Sequence, residues 1–283
     1  MYSDTIHEVG KQAAAKYDHQ QRSLFGHLVR SALAGMYVGA AIVLIFTIGG
    51  LLSKAAPGTE RIAMGVFFGG ALTMVVFAGA ELVTGSNMVL TLGVLTNRVS
   101  VGNLISNWTW TWIGNLIGSV LLAWMVFQSG LIDDDPIRSF LVNAMGKKMN
   151  LPPEQLFIRA ILANWLVCLG VWMAARVKSE TAKLVLIWYC MFTFITSGFE
   201  HSVANMCGLM MALLLPHGET VTWGGYAYNL ALATAGNIVG GAFFVAGLYW
   251  AGSPASRTTP VPSTNGHVSP GEPLPSRILA EAR

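Results

Sequence analysis

Residues 197–206 read Ser-Gly-Phe-Glu-His-Ser-Val-Ala-Asn-Met, and they place Glu200 beside His201 inside a long apolar run. Ionisable groups at membrane depth are costly and are usually functional. Residues 79–88, Gly-Ala-Glu-Leu-Val-Thr-Gly-Ser-Asn-Met, repeat the pattern, because Gly-x-Glu again precedes Asn-Met with one extra residue between them. Two matched interruptions of two apolar segments are typical of a transporter built from a duplicated half.

The composition indicates that lipid surrounds most of this chain. Of its 283 residues, 53% are hydrophobic and only 11% are charged, which is far from the balance of a soluble protein. Three stretches carry no Lys, Arg, Asp or Glu: 31–53, 99–132 and 220–256. Each supplies the roughly 20 apolar residues of a membrane-spanning helix. The lipid bilayer is therefore the first predicted partner.

Charge and cysteine usage argue against several other classes. The net charge is +3 and the basic residues are scattered, without interleaved exposed aromatic residues, so we expect no nucleic-acid partner.

Cys168, Cys190 and Cys207 lie in apolar segments without C-x-x-C spacing, which predicts neither disulfides nor a metal site. We expect no cofactor. The first 27 residues are polar and lack the apolar core of a cleavable signal, so we expect the mature chain to begin at residue 1.

Hydropathy divides the chain into three parts. Residues 1–27 are an amphipathic segment, 28–251 a membrane domain, and 252–283 a Pro-rich tail that we predict to be disordered because it cannot bury enough apolar surface. The second apolar segment would be roughly 54 Å long as one helix at about 1.5 Å per residue, against a hydrocarbon core of roughly 30 Å. Six membrane segments are predicted: 28–53, 62–97, 102–128, 157–176, 183–215 and 225–251.

The second and fifth segments are predicted to be broken. Gly79 and Gly85 flank Glu81, and Gly198 precedes Glu200, so both segments carry flexible backbone beside their only acid. Freed N–H and C=O groups at membrane depth need partners, so such breaks occur only where protein or a watery cavity surrounds them. We expect both breaks to face a path, and both carboxylates to accept hydrogen bonds from freed backbone N–H groups.

The duplication extends to the other segments. Residues 33–38, Leu-Ala-Gly-Met-Tyr-Val, resemble 162–167, Leu-Ala-Asn-Trp-Leu-Val, and 114–118, Gly-Asn-Leu-Ile-Gly, resemble 236–240, Gly-Asn-Ile-Val-Gly. With three segments per half, the second half enters the membrane from the opposite side. The predicted fold is therefore an all-α integral membrane protein of six transmembrane helices in two inverted three-helix repeats, with a substrate path where the halves meet.

Basic residues in the short loops predict the orientation. One side of the predicted topology carries the lysines and arginines of residues 11–22, Arg98 and those of residues 176–183. The positive-inside rule makes this side cytoplasmic, together with both termini. The acidic run 133–135 and Glu219 fall on the other side, although four basic residues there reduce the asymmetry.

Four polar side chains stand out within the apolar segments. His201 is the one histidine that we place at membrane depth, where it would exchange protons with an anionic substrate or simply hydrogen-bond between helices. Thr84, three residues after Glu81, would present its hydroxyl to the path opposite His201 or bond its own backbone. Asn115 and Asn237 occupy equivalent places in the Gly-Asn-x-x-Gly motifs, either as polar contacts between helices or as groups that reach the path.

The motifs at 197–206 and 236–240, with Asn-Trp-Leu-Val-Cys at 164–168, resemble those of the formate/nitrite transporter family. The similarity covers residues 25–251 approximately, and its motifs occur in the same order. It implies an aquaporin-like helical protomer and a homopentamer, with one pore per subunit, in the inner membrane of a bacterium. It also implies passage of small monovalent anions such as formate, nitrite or hydrosulfide, and no enzymatic activity.

The same resemblance assigns roles to individual residues. His201 would be the central pore residue with Thr84 as its partner, and Asn115 and Asn237 would supply hydrogen bonds near the centre. The loops at the breaks would be supported by Glu81, Glu200 and Asn205. The cytoplasmic constriction would be formed by Phe68, Leu72 and Leu82. The outer constriction and its vestibule would be formed by Asn164, Val167, Phe194 and Lys148, with Lys147 as the alternative to Lys148 for attracting anions.

The sequence favours nitrite over formate as the substrate. Glu81 followed by Leu-Val-Thr-Gly, and the run of residues 35–49, resemble nitrite channels, whereas formate channels tend to have aspartate at the Glu81 position. Formate and hydrosulfide are the alternatives within the family. We expect His201 to lend the anion a proton, so that a neutral acid crosses the apolar constrictions at a lower desolvation cost. Two other classes explain the sequence less well: an intramembrane enzyme that uses Glu200 and His201 would need further metal ligands or an oriented nucleophile, and a channel for neutral solutes would not need the histidine.

Overall fold

The structure, a computed structural model, describes residues 2–253, and within that range the chain forms helices and no strand. The first half contains α1 (Ser3–Arg22), α2 (Leu24–Ala55), α3 (Glu60–Phe68), α4 (Gly70–Phe77), α5 (Val83–Leu95) and α6 (Val101–Gln128). The second half contains α7 (Ile137–Met149), α8 (Pro153–Arg176), α9 (Glu180–Ser197), α10 (Ser202–Leu214) and α11 (Trp223–Ile238), followed by a π-helical segment (Val239–Gly247) and a last turn, α12 (Leu248–Ala251). The tail that we predict to be disordered lies, from residue 254 onward, outside the described residues.

The described residues contain six segments that can span a membrane. α2, α3 with α4, α6, α8, and α11 with its continuation are each long and apolar enough, and α9 with α10 forms a sixth segment bent by 50°. α5 is apolar but shorter, and it completes the second predicted segment after the break. Large apolar side chains such as Leu44, Trp124 and Phe243 are exposed on the outside of the bundle, which suits lipid surroundings.

Both predicted breaks are present, at residues 78–82 between α4 and α5 and at 198–201 between α9 and α10. Gly79 and Gly198 have φ angles of 71° and 76°, in the left-handed region that glycine adopts without steric cost. Gly85, which the sequence also placed in the first break, lies within α5 instead. The reason is that α5 begins at Val83, two residues before Gly85, where the N–H of Val83 has a hydrogen-bond partner in Asn115.

Close backbone crossings fix the frame of each half. α2 crosses α6 so closely that a Cβ atom added at Gly118 would lie 1.8 Å from the carbonyl oxygen of Ala32. α8 approaches the continuation of α11 in the same way, with 2.3 Å between a Cβ atom at Gly240 and the carbonyl oxygen of Ile161. Both glycines end the Gly-Asn-x-x-Gly motifs. Small residues therefore permit the same crossing in both halves, as in other packed membrane helices.

Two helices outside the spans, α1 and α7, lie on opposite faces of the bundle. α1 buries Ile6, Val9 and Ala13 in a cluster with side chains of α5. α7 buries Leu141 and Met145 against α2 and α10. Because α6 crosses the bundle once between them, we call the two sides the α1 face and the α7 face. The sequence analysis predicted an amphipathic N-terminal segment but treated the α7 region as a loop.

Candidate functional site

An asparagine connects the first break to its neighbours. Asn115 of α6 accepts a hydrogen bond from the N–H of Val83 through Oδ1 (3.0 Å). Its Nδ2 donates to the carbonyl oxygens of Ser31 (2.7 Å) and Glu81 (2.8 Å). The side chain is fully buried, so it supplies the partners that a broken helix needs away from water.

Asn237 of α11 makes the same set of bonds in the second half. Its Oδ1 accepts from the N–H of Ser202 (2.9 Å), and its Nδ2 donates to the carbonyl oxygens of Ala160 (2.8 Å) and Glu200 (3.0 Å). An amide group has two hydrogens, and in both asparagines the backbone uses both. The geometry therefore agrees with the interpretation of these residues as polar contacts between helices.

A lysine from a surface helix neutralises the acid of each break. Lys16 Nζ of α1 lies 2.5 Å from Glu81 Oε2, and Lys148 Nζ of α7 lies 2.7 Å from Glu200 Oε1. The acid side chains are only 10% and 2% exposed, so each needs a cationic partner. Asn205 Nδ2 donates a further bond to Glu200 Oε2 at 2.8 Å. Side chains thus hold both carboxylates, in place of the backbone N–H groups that we expected.

The match between the halves extends to Lys16, which the sequence analysis missed. The N–H groups of Glu81 and Glu200 donate to the carbonyl oxygens of Arg30 and Arg159, at 3.2 Å in both cases. The helix that precedes the first span of each half then brings a lysine to the acid. The sequence analysis assigned Lys148 to the vestibule and predicted neither lysine as the partner of a break, so the repeat could suggest a counterpart near Glu81 only once the pair between Lys148 and Glu200 was seen.

His201 lies where the halves meet, and it caps α10. Its Nδ1 accepts a hydrogen bond from the N–H of Ala204 (3.2 Å), and its Nε2 lies 3.0 Å from Thr84 Oγ1. Because Nδ1 is an acceptor, the geometry assigns the ring proton to Nε2, which donates it to Thr84. The imidazole is therefore neutral, and the threonine hydroxyl keeps its own hydrogen for another acceptor. Of the two alternatives for Thr84, the structure shows the hydroxyl directed at His201.

Apolar side chains surround His201 on one side. A cavity of only about 10 Å³ is lined by His201 and by the residues assigned to the constrictions: Phe68, Leu72, Leu82, Val167 and Phe194. The ring of Phe194 lies 5.6 Å from that of Phe68 and 5.8 Å from that of His201, measured between centroids. The structure thus brings both predicted constrictions together around one small space. The same wall includes three residues that sequence reasoning missed: Val38, Ala71 and Met191.

Asn164, assigned to the outer constriction, is fully buried between the halves. Its Nδ2 contacts the carbonyl oxygens of Thr84 (3.1 Å) and Asn237 (2.6 Å) and Oδ1 of Asn87 (3.1 Å). It therefore ties the helix that begins after the first break to α11. This position stabilises the backbone on which the Thr84 hydroxyl is mounted.

A larger cavity opens from the α7 face towards His201. Its volume is about 930 Å³, and the buried side chains of Phe194 and His201 form part of its wall. Both lysines considered for the vestibule line it, Lys148 within its ion pair and Lys147 as an exposed side chain. Two arginines that the sequence analysis did not assign line it as well: Arg61 and Arg159.

A second histidine, His27, is fully buried near the start of α2. Its Nε2 lies 3.0 Å from Thr111 Oγ1, while Nδ1 has no hydrogen-bond partner in the described part of the chain. The sequence analysis placed only His201 within a predicted membrane segment, whereas His27 lies in the first turn of a helix that is long and apolar enough to span a membrane. The first span was predicted to begin at residue 28, whereas α2 begins at Leu24 and carries His27 inside.

A path that narrows to a histidine between two interrupted spans defines this molecule as a membrane channel or transporter. It belongs to the formate/nitrite transporter family, whose sequence profile matches residues 3–251. The predicted family membership is therefore confirmed. A family of transporters also excludes the intramembrane enzyme as a description of this chain.

Individual relatives give the same result. The nitrite transporter NirC of Salmonella typhimurium is 40% identical over 257 residues, which cover 90% of this chain and 94% of the relative. A solved structure of an FNT family ion channel is similar with a TM-score of 0.84 and 40% identity, over 89% of this chain and 100% of the other. A pentameric formate channel with formate bound has a TM-score of 0.73 and 26% identity, over 82% and 98%. The chain is thus a multi-pass membrane protein of an anion-channel family.

Proposed function

We propose that this protein passes small monovalent anions across the inner membrane of a bacterium, with nitrite as the preferred substrate and formate as a second one. The observation that carries the proposal is the contact between His201 and Thr84 inside an apolar wall, at the end of a vestibule. The names of the relatives support both anions, since one is a nitrite transporter and one a formate channel. Hydrosulfide is the alternative within the family.

The apolar side chains of the constrictions determine whether the substrate crosses as the anion or as the neutral acid. A bare anion that leaves its water shell for an apolar site faces a cost of at least several kcal/mol, whereas a neutral acid faces much less. Beyond the vestibule, the cavity that His201 shares with the constriction residues is about 10 Å³, too small for a hydrated anion. Formic or nitrous acid is therefore the species that passes the constrictions.

His201 and Thr84 supply the proton exchange. A proton enters with the anion and binds Nδ1, which breaks the bond to the N–H of Ala204 at a cost of about 1–3 kcal/mol. The anion offsets this cost, because imidazolium and anion together form a neutral pair. The Nε2 proton then moves to Thr84 Oγ1 while the hydroxyl proton moves to the anion, and the neutral acid departs. The imidazole regains its capping tautomer by exchange with water.

The proposed oligomeric state rests on a relative, and the proposed orientation in the membrane rests on the distribution of basic residues. A homopentamer with one path per subunit is supported by the pentameric formate channel, which shares the fold. The α1 face is assigned to the cytoplasm because the basic loop residues lie on its side. The vestibule on the α7 face then opens to the outside of the cell.

The test uses His201→Asn in proteoliposomes. Asparagine is a good N-cap residue, so its Oδ1 can still accept from the N–H of Ala204 while the side chain no longer titrates. Nitrite flux and the charge moved with it are measured together at about pH 5.5 and about pH 7.5, on either side of the pKa of a free imidazole. His217→Asn, which changes an exposed histidine of the α7 face, is the matched control.

We expect the wild type and the control to move nitrite with almost no net charge. His201→Asn should carry nitrite more slowly, and with about one charge per anion, because the proton donor is lost. A wild-type protein that moves one charge per nitrite at every pH would refute the proton exchange. Glycerol-driven swelling of the same liposomes would instead support the neutral-solute channel.

A further inference from the structure

The vestibule holds two arginines that form no ion pair with any acid among residues 2–253. Arg61 lies in the first turn of α3 and Arg159 in α8, and both line the cavity of about 930 Å³. Within the described residues, neither guanidinium forms an ion pair, whereas Lys148 is bound to Glu200 at 2.7 Å. The charge that Lys148 offers to an anion is therefore largely balanced, and the two arginines, together with the exposed Lys147, carry the unbalanced positive charge of the cavity.

Both arginines sit at the loop that leads to His201. A Cβ atom at Gly198 would lie 2.7 Å from Arg61 Nη2, so this guanidinium rests against the loop backbone. Arg159 accepts the N–H of Glu200 on its carbonyl oxygen at 3.2 Å, which fixes its backbone two residues further along the same loop. Both residues therefore contact the loop before His201, Arg61 through its guanidinium and Arg159 through its backbone, and both line the same cavity.

The acids of the cavity do not compete strongly for these arginines. Two acids line it, against four basic side chains: Glu60 and Glu200, against Arg61, Lys147, Lys148 and Arg159. Glu200 is held by Lys148 and Asn205. Glu60 Oε2 accepts the N–H of Gly58 at 2.9 Å. The guanidinium groups are thus available to an anion that enters from the α7 face.

We propose that Arg61 and Arg159 form a capture site for planar anions that carry two oxygen acceptors. This inference rests on the proposed function and adds a basis for selectivity to it. A guanidinium presents parallel N–H donors, which match the two oxygens of nitrite or formate. Hydrosulfide has one acceptor atom and gains only the charge attraction. The site therefore enriches nitrite and formate over hydrosulfide before any of them reaches His201.

The test separates the effect of the positive charge of the two arginines from the effect of their parallel N–H donors. Arg61→Gln and Arg159→Gln, singly and combined, remove the charge, and Arg61→Lys with Arg159→Lys keeps it but removes the parallel donors. Initial rates of nitrite, formate and hydrosulfide are measured against concentration in proteoliposomes at about 50 mM and about 300 mM salt, which separates screened attraction from direct contact. Arg138→Gln is the control, since Arg138 is exposed and already paired with Asp135 at 3.1 Å.

We expect the double Gln variant to raise the half-saturating concentration of nitrite and formate by about tenfold, with an unchanged maximal rate. The double Lys variant should restore hydrosulfide uptake but leave nitrite and formate weak at both salt concentrations. Equal losses for all three anions, or full rescue of nitrite by lysine, would overturn the capture site. A wild type that passes neither nitrite nor formate rejects the proposed function, whereas an active wild type with unchanged Gln variants rejects only the capture site.

Discussion

The ion pair between Lys148 and Glu200 permits a quantitative test of how the second break is stabilised. Lys148→Met leaves the carboxylate, 2% exposed, with Asn205 as its remaining side-chain partner. Removing one partner of a buried pair costs about 3–5 kcal/mol. The Lys148 side chain is 24% exposed, so water screens part of the interaction, and we expect a loss of about 2–3 kcal/mol. This corresponds to an unfolding temperature lower by roughly 5–10 °C.

The double variant Lys148→Met with Glu200→Gln should recover most of this loss. Glutamine keeps an oxygen for the bond from Asn205, and no unpaired charge remains, so we expect stability within about 1 kcal/mol of the wild type. Unfolding is followed with a thiol-reactive dye, because all three cysteines, Cys168, Cys190 and Cys207, are buried until the protein unfolds. Lys147→Met, which changes the neighbouring exposed lysine, is the control. Single effects that simply add in the double variant would refute the coupling.

Two further predictions concern packing and the width of the path. Gly118→Ala should abolish folded protein in detergent, because its Cβ would lie 1.8 Å from the carbonyl oxygen of Ala32. Gly70→Ala is the control, since a Cβ there would have no atom within 4 Å, and it should behave as wild type. Size-exclusion profiles of the two purified variants test this difference. Phe194→Ala removes the ring between Phe68 and His201, so acetate should cross at a rate roughly tenfold higher, equivalent to a barrier about 1.4 kcal/mol lower. An unchanged acetate rate in proteoliposomes would contradict the assignment of Phe194 to the constriction.

The frame of the fold was predictable from local signals. Glycine beside a single acid in an overlong apolar segment marked both breaks, and Gly79 and Gly198 indeed have positive φ angles. The Gly-Asn-x-x-Gly motifs marked the close crossings. Gly85 shows the limit of this reasoning, because it lies within α5 although it follows Glu81 closely in the sequence. The helix begins already at Val83, whose N–H donates to Asn115 of another span.

The pairing of charges was harder to predict, because it depends on elements far apart in the sequence. Lys148 and Glu200 are 52 residues apart, and Lys16 and Glu81 are 65 apart. Nothing near Lys148 indicates that a helix, α7, turns its lysine towards the second break. The capping role of His201 is also invisible in the sequence, since it depends on the dihedral angles at the start of α10.

The small cavity between His201 and the constriction residues also affects the proton gradient across the membrane. A continuous file of water molecules would let protons hop across the bilayer and dissipate the electrochemical gradient. A gap of about 10 Å³ holds at most a single water molecule and interrupts such a file. Passage then depends on brief rotations of the surrounding aromatic and aliphatic side chains, within a backbone that the two asparagines hold still. In the proposed mechanism a proton crosses only together with a substrate molecule, so the side chains that close the path also preserve the proton gradient across the membrane.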